Sequence, residues 1–414
     1  MGNKAVLVVG AGISGITAAL EASEVGYEVF LLEKRPYLGG RVAQLNQYFP
    51  KLCPPNCGLE INLRRVKNSP YIKYFTQAEV EEITGQEGNL TVKVRLAPRY
   101  VNNNCTACGK CVEVCPAERP NDFNFGLDKT KAIYFPHLFA FPAKYVIDSQ
   151  ACQGTACGKC VAACPVGAID LNMQPQTITL QVGSVIWATG WDPYDLTKLT
   201  QYGSGQYPNV ITNMMMERLA AESGPSGGQI LRPSDGKAVK RIAFVQCAGS
   251  RDENHLSYCS GVCCLASLKQ ATYVREKHPD AEIYMFYIDI RALGRYEDFF
   301  VRVKEMGINL VKGKVGTITE DATTKDVILE VEDQEAGRLL KETFDLAVLA
   351  TGMAPTTRST PPPVEATLNK EGFIVDAVPG VYGAGCANRP MEVAASVQDA
   401  TAAAMKAIQS VVGR

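Results

Sequence analysis

The sequence predicts an α/β chain built on a dinucleotide-binding domain and interrupted by a cysteine-rich insert. Three observations predict it. The N-terminus carries a complete strand–glycine turn–helix–strand unit. Two later apolar strands each end in Ala-Thr-Gly. Eight cysteines lie in two compact groups between residues 105 and 164. With 414 residues the chain is long enough for two or three domains.

The first unit spans residues 5–35. An apolar strand, Ala5 to Val9, meets Gly10, Gly12 and Gly15; a helix follows to Val25, and a second strand ends at Glu33. In a G-x-G-x-x-G turn the first glycine allows the tight bend, the second lets a pyrophosphate approach the backbone, and the third lets helix and strand pack closely. The helix N-terminus offers unpaired N–H donors to the anion. Glu33 can accept both ribose hydroxyls and would repel a 2′-phosphate, so the ligand is NAD or FAD rather than NADP.

Composition narrows the class. Lys and Arg number 42 against 43 Asp and Glu, a net charge of −1, so the basic excess of a nucleic-acid binder is absent. No run of 18 apolar residues is present, so the chain is not expected to span a membrane by itself. The apolar run at Ala5–Val9 ends at once in glycines, unlike a secretory signal, and the cytoplasm is the expected compartment. There are 15 cysteines, and in a cytoplasmic chain such clusters point to metals or catalysis rather than disulfides.

Further segments choose the dinucleotide. Glu33-Lys34 followed by Leu38-Gly39-Gly40-Arg41 resembles the continuation found in the two-dinucleotide-binding-domain flavoproteins, as do the strands ending in Ala188-Thr189-Gly190 and Ala350-Thr351-Gly352. Gly380 to Gly385 before an Ala-rich helix at 392–410 resembles the segment that places a helix N-terminus near the flavin ring. That superfamily usually has Asp after the last glycine, where this chain has Cys386. The resemblance implies a thioredoxin-reductase-like fold binding FAD through Gly10, Gly12, Ser14, Gly15, Glu33, Lys34, Gly40, Arg41, Ala188, Thr189, Gly190, Thr351, Gly352, Gly385 and Cys386.

The insert reads C-x2-C-x2-C-x3-C-P from Cys105 and C-x4-C-x2-C-x3-C-P from Cys152. The first is the bacterial [4Fe–4S] run, in which the fourth cysteine ligates the other cluster of a two-cluster ferredoxin. One [4Fe–4S] cluster is therefore assigned to Cys105, Cys108, Cys111 and Cys164, the other to Cys152, Cys157, Cys160 and Cys115. Zinc modules use paired C-x2-C knuckles and fit less well. The flanking segments Leu90–Leu96 and Thr177–Val182 alternate like neighbouring strands of one meander, so the insert interrupts it.

Flavoprotein disulfide reductases carry a second glycine fingerprint in mid-chain. The matching strand here, Arg241 to Gln246, runs into Cys247-Ala248-Gly249 with no glycine triplet. Cys247, Cys259, Cys263 and Cys264 stand there instead, the last two near the start of a helix running to Glu276. A third [4Fe–4S] cluster is expected; thiol–disulfide chemistry is the alternative, disfavoured because adjacent cysteines strain a disulfide.

Taken with YPNVIT (207–212), SGPSGGQILRPSDGK (223–237), IAFVQCAGSRD (242–252) and YCSGVCC (258–264), the chain resembles the A-type subunits of heterodisulfide reductase. The resemblance implies that Cys247, Cys259, Cys263 and Cys264 bind a [4Fe–4S] cluster. Its length is similar to the A-type subunit of the quinone-interacting membrane-bound oxidoreductase of sulfate-reducing bacteria. That implies an FAD and iron–sulfur electron-transfer subunit working between menaquinone and adenylylsulfate reductase. The implied partners are a membrane haem/quinone subunit, which would hold the chain on the cytoplasmic face of the inner membrane, and a sister flavin/iron–sulfur subunit. Alternatives are a flavin-dependent reductase of disulfides using NADH and a flavin-bifurcating subunit.

The expected organisation is flavin domain 1–98, ferredoxin-like insert 99–170, flavin domain 171–236, degenerate nucleotide-binding domain 237–343 and flavin domain 344–414, with 222–237 as a linker. Cys53 and Cys57, in LCPPNCG, are either redox thiols or ordinary loop thiols. His137, His255 and His278 read as packed structural residues, as do Met214 to Met216.

Overall fold

The computed structural model describes residues 5–364, 367–376 and 378–412. It divides into two units, Met1–Trp191 with Pro355–Arg414, and Asp192–Ala354.

The first unit starts with β1 (Ala5–Val9), whose five residues are all buried, α1 (Ile13–Glu24) and β2 (Glu28–Glu33). Gly26, at φ +90°, ends the helical stretch in a turn that L-residues rarely adopt. α2 (Pro55–Asn68) opens with proline at its first position, where no N–H is needed, and leads to β3 (Ile72–Thr76). β4 (Ala78–Gln86), β5 (Asn89–Leu96) and β6 (Gln176–Val182) form an antiparallel meander in the order β6-β5-β4. β6 leads directly into β7 (Ser184–Trp187).

The parallel sheet of this unit runs β16-β7-β1-β2-β3, where β16 is Val381–Gly383 near the C-terminus. α6 (Val393–Val412) closes the unit, and Ala400, Ala403, Ala404 and Ala407 pack in the same apolar core as α1 and β1. Small residues let this helix lie close against α1.

Between β5 and β6 runs the insert. It holds two short helices, Lys110–Glu113 and Lys159–Ala163, each entered through a left-handed glycine, Gly109 and Gly158. Arg99 fastens it. Its guanidinium donates to the carbonyls of Tyr145 (2.8 Å) and Lys144 (2.7 Å) on the insert and to that of Pro36 (2.7 Å) beyond β2.

The second unit repeats the plan. Its elements are β8 (Val210–Thr212), α3 (Asn213–Ala220), β9 (Arg241–Ala248), α4 (Cys263–Lys277), β10 (Glu282–Tyr287), α5 (Tyr296–Glu305) and β11 (Asn309–Lys312). A meander β12 (Val315–Glu320), β13 (Val327–Asp333) and β14 (Arg338–Phe344) follows, then β15 (Leu346–Thr351). The parallel sheet is ordered β8-β15-β9-β10-β11.

This partition differs from the boundaries expected at 236/237 and 343/344. β8 and β15, both assigned to the flavin domain from sequence, hydrogen-bond in one sheet with β9 (Val210 opposite Ala347, Ile242 opposite Leu346). Residues 222–237 are also not a free linker. Arg232 is 5% exposed and reaches Asp326 (2.6 Å), Asp345 (3.3 Å) and the Thr324 carbonyl (2.6 Å), tying that loop to the body of the second unit.

Candidate functional site

In the first unit the glycine turn is built by close approach. A Cβ on Gly10, which sits at φ +100°, would lie 2.4 Å from the Ala188 carbonyl oxygen, and one on Gly15 would lie 1.7 Å from the Gly10 oxygen. Both positions are closed by backbone. Gly12 is different: a Cβ there meets only the Gly40 Cα, at 3.8 Å, an ordinary contact, so this position is not closed by backbone. α1 starts there with no side-chain cap and no acidic residue in its first turn, so its first amides remain for an anion.

Glu33 closes the far side. Its Oε2 accepts the Ala11 amide at 2.8 Å and its Oε1 the Arg35 amide at 2.9 Å. Burial raises its pKa against those amides and that of Lys34, and a lone pair remains for a ribose hydroxyl. Gly40 lies against Gly12, and the Gly39 amide donates to the Ala11 carbonyl at 2.8 Å. Arg41 donates to the Trp191 carbonyl (3.2 Å) and to Gln44 Oε1 (3.0 Å). Lys34 instead turns outward to Glu79 at 3.0 Å. Ala188 and Thr189 back the turn, and the buried Thr189 Oγ1 has no partner among the described residues. An open glycine, an orphaned hydroxyl and a buried ribose-type carboxylate fit a bound dinucleotide.

Gly385 and Cys386 open a short 3-10 turn before α6. A Cβ on Gly385 would lie 2.0 Å from Ser14 Oγ, which joins this segment to the start of α1. Cys386 faces inward: its thiol points to the Met391 carbonyl (3.5 Å) and Ser396 Oγ (3.9 Å), and burial raises its pKa. The carboxylate at this point is Asp399 of α6, which accepts the Gly385 amide (2.7 Å) and Asn388 Nδ2 (3.0 Å). Sequence reasoning missed Asp399 because it lies 14 positions downstream, with only its place on the buried face of α6 to mark it.

Thr351 and Gly352 belong to the second unit. There Thr351 Oγ1 donates to Asn213 Oδ1 (3.0 Å), and its carbonyl accepts the Cys263 thiol (3.6 Å). A Cβ on Gly352 would lie 2.2 Å from Ser250 Oγ. This Thr-Gly pair is thus placed beside the third cysteine set within its own unit.

The insert brings its eight cysteines around two cavities. One is lined by Cys105, Cys108, Cys111 and Cys164, the other by Cys115, Cys152, Cys157 and Cys160. Each cavity takes three cysteines from one motif and the fourth from the other. The walls are apolar: Val101 and Ile169 at the first, Ile133 and Ile147 at the second. Backbone amides point at sulfur, Ala168 N to Cys164 (3.2 Å) and Gly154 N to Cys152 (3.4 Å). Burial, with the neighbouring sulfurs adding, pushes the Cys111 thiol up to about 11 and raises Cys160.

Four thiols with no carboxylate or imidazole among the lining residues suit a soft metal or an iron–sulfur cluster. A single zinc ion, with Zn–S near 2.3 Å, would draw four sulfurs to about 3.8 Å from one another. Among the described residues no three His, Cys, Asp or Glu side chains form a set that would hold one metal ion. Four cysteines lining each cavity fit a cubane.

In the second unit Cys247 ends the straight part of β9 at φ +56°, beside a ladder irregularity between Val245 and Ala248. Cys263 and Cys264 open α4, which has no acidic residue in its first turn. Burial raises the Cys247 thiol, to about 11, and that of Cys263, and the neighbouring sulfurs of the set add to both. Gly261 N donates to Cys259 Sγ at 3.3 Å, and Cys264 Sγ lies 3.7 Å from the Asp289 carbonyl. Gln246 and Ser250 are buried, and neither Gln246 amide atom nor Ser250 Oγ has a partner among the described residues. Thiols converging among orphaned polar atoms fit a bound cluster here as well.

Cys53 and Cys57 stand apart from these rings. Cys53 precedes α2 and Cys57 lies in its first turn, and both act on the Tyr48 phenol, whose pKa is raised chiefly by burial. His137 stacks on Phe123 (4.5 Å between centroids), His278 Nε2 meets the Ile230 carbonyl (2.9 Å), and His255 Nδ1 meets Tyr194 OH (3.0 Å).

Comparison with known proteins agrees with this geometry. Residues 8–71 match the NAD(P)-binding Rossmann-like domain and residues 104–168 the 4Fe-4S dicluster domain. The chain is 42% identical, over 97% of its length, to one of two A-type CoB--CoM heterodisulfide reductase iron-sulfur subunits of Methanopyrus kandleri. It is 40% identical over 97% to the corresponding iron-sulfur subunit of Methanocaldococcus jannaschii. A third relative, at 39%, is the A-type subunit of the H(2):CoB-CoM heterodisulfide,ferredoxin reductase of Methanothermobacter marburgensis. The chain spans 63% of the length of each of these three. Among solved structures, T. acidophilum thioredoxin reductase superposes with TM-score 0.55 at 16% identity over 99% of both chains. Lactococcus lactis thioredoxin reductase gives 0.54 at 13%, over 99% and 100%. These likenesses show the fold: two dinucleotide-binding-type units with a ferredoxin-type insert.

Proposed function

We propose that this chain, similar along nearly its whole length to the A-type subunits of heterodisulfide reductase, is an FAD and iron–sulfur electron-transfer subunit of a multi-subunit oxidoreductase. The observation that carries the reading is the pair of four-cysteine cavities in the same unit as the open glycine turn. FAD would lie over Gly12 with its ribose at Glu33; two [4Fe–4S] clusters would fill the insert; a third would sit at Cys247, Cys259, Cys263 and Cys264. When bound, flavin exchanges electrons in ones or pairs and clusters exchange single electrons. The chain's own residues hold these groups, bury them behind apolar walls and aim amides at the sulfurs.

The relatives' names favour a heterodisulfide-reductase-type role over the narrower expectation of a link between menaquinone and adenylylsulfate reductase. That narrower expectation, with its membrane haem/quinone partner and attachment to the inner membrane, has no support in those names. No helix among the described residues is long and apolar enough to cross a membrane. An NADH-driven disulfide reductase is disfavoured by Cys247, which stands where the second glycine fingerprint would begin.

The test is anaerobic purification with iron, sulfide and flavin analysis, followed by mixing with NADH. About twelve irons per chain, bound FAD and no rapid flavin bleaching support the reading. Zinc without iron, or fast bleaching by NADH, overturns it.

A further inference from the structure

We propose that Gln44 is a positioning residue that latches the ferredoxin-type insert onto the flavin segment and so sets how fast electrons pass between flavin and the insert's clusters. The inference rests on the electron-transfer reading and deepens it. Gln44 ends a 3-10 turn, Val42–Gln44, directly after Gly39-Gly40-Arg41, and is 1% exposed. Its side chain is used at both ends. Oε1 accepts Arg41 Nη1 at 3.0 Å and Arg35 Nη1 at 3.3 Å. Nε2 donates to the carbonyl of Phe123, 79 positions away in the insert, at 3.1 Å. Only a carboxamide can accept from cations on one side and donate to a carbonyl on the other; a carboxylate cannot donate. Arg41 is shared in the same way. Its Nε donates to the Trp191 carbonyl, just beyond Ala188-Thr189-Gly190, and its guanidinium lies 5.7 Å from the Phe125 ring centroid.

The grip continues to a cysteine of the second cavity. Phe123 packs on Tyr37, 5.8 Å between centroids, and sits in a 3-10 turn, Asp122–Asn124. Asp122 pairs with Arg119, whose Nε lies 2.6 Å from Asp148 Oδ2. Asp148 Oδ1 accepts the amides of Gln150 (2.9 Å) and Ala151 (3.3 Å), and its carbonyl accepts that of Cys152 (3.0 Å). Bonded neighbours therefore connect Arg41 to Cys152, all within the first unit. In the transfer itself reduced flavin loses one electron and an oxidised cluster gains it. That rate falls steeply with separation, so a latch that fixes the separation governs it.

The experiment compares whole anaerobic native protein with Gln44→Glu and Gln44→Met. Gln44→Glu keeps the acceptor for both guanidiniums and sets a carboxylate oxygen against the Phe123 carbonyl; Gln44→Met keeps the bulk and removes both ends. Bound flavin is reduced by a light flash with EDTA as electron donor, and the insert clusters are followed by EPR in samples frozen at successive delays. Both variants keep native FAD, iron and cluster midpoints, while the cluster signals rise several-fold more slowly. Amide exchange quickens over 121–126 but not over 144–147, which Arg99 holds. Variants whose signals rise and whose amides exchange as in native protein overturn the role of Gln44 alone. A slower rise with shifted midpoints also overturns it, because driving force rather than position has then changed. Native protein without FAD or without iron overturns the electron-transfer reading and this inference with it.

Discussion

Lys269 Nζ lies 3.0 Å from Glu217 Oε1, and the two side chains are 4% and 2% exposed. Glu217 also accepts Gln270 Nε2 (2.7 Å) and the Tyr273 hydroxyl (3.4 Å), so α3 and α4 are joined by a satisfied buried charge pair. Removing one partner strands the other charge away from water, a loss of about 3–5 kcal/mol. Lys269→Met therefore lowers the denaturation midpoint sharply, and Lys269→Met with Glu217→Gln recovers most of it. A double variant as unstable as the single would contradict this account.

Exchange of fourth ligands between the motifs makes a prediction about pairs of substitutions. Cys164→Ser with Cys105→Ser removes about four irons, because both line one cavity. Cys164→Ser with Cys160→Ser removes about eight, although those two are neighbours in sequence. Iron analysis of both double variants decides the arrangement; the reverse ordering would mean that each motif keeps its own cluster.

The two glycines of the fingerprint separate fold from ligand. Gly12→Ala adds a methyl that the protein itself accommodates, 3.8 Å from the Gly40 Cα, so the variant melts like flavin-free native protein but loses flavin. Gly15→Ala drives Cβ into the Gly10 oxygen and lowers the melting temperature whether or not flavin is present. Thermal melts and bound-FAD absorbance check both; normal flavin content in Gly12→Ala would remove the dinucleotide from that turn.

The buried thiols give a pH dependence with a definite sign. Cys111 and Cys247 are pushed from 9.0 to about 11, so folding of the metal-free chain favours their neutral form. That contribution is whole below about pH 9 and is lost as pH rises towards 11. Cluster binding displaces those protons. Metal-free protein should lose stability between pH 8.5 and 10.5 more steeply than loaded protein, measured by urea denaturation at roughly matched ionic strength. Parallel curves for the two forms would show that the thiols do not carry it.

Much of this was legible because it is local. The strand, glycine turn, helix and acid of residues 5–33 are consecutive, and the cysteine spacings are fixed by short loops. Sheet membership was not. Ser184–Gly190 and Leu346–Gly352 read alike, yet β7 pairs with β1 while β15 pairs with β8 and β9. That choice is made by hydrogen bonds between distant segments, which a short pattern does not encode. Asp399 escaped notice for the same reason: a carboxylate on an Ala-rich helix acquires its meaning only from the backbone amide brought to it.

The antiparallel ladder places Leu96 opposite Gln176. The chain therefore leaves and re-enters the host meander on a single rung, so everything in 97–175 hangs from it as an enlarged hairpin loop. Closing such a loop costs little more as it lengthens. A module attached in this way can be gained, exchanged or excised over evolutionary time while the strands that receive it keep their register.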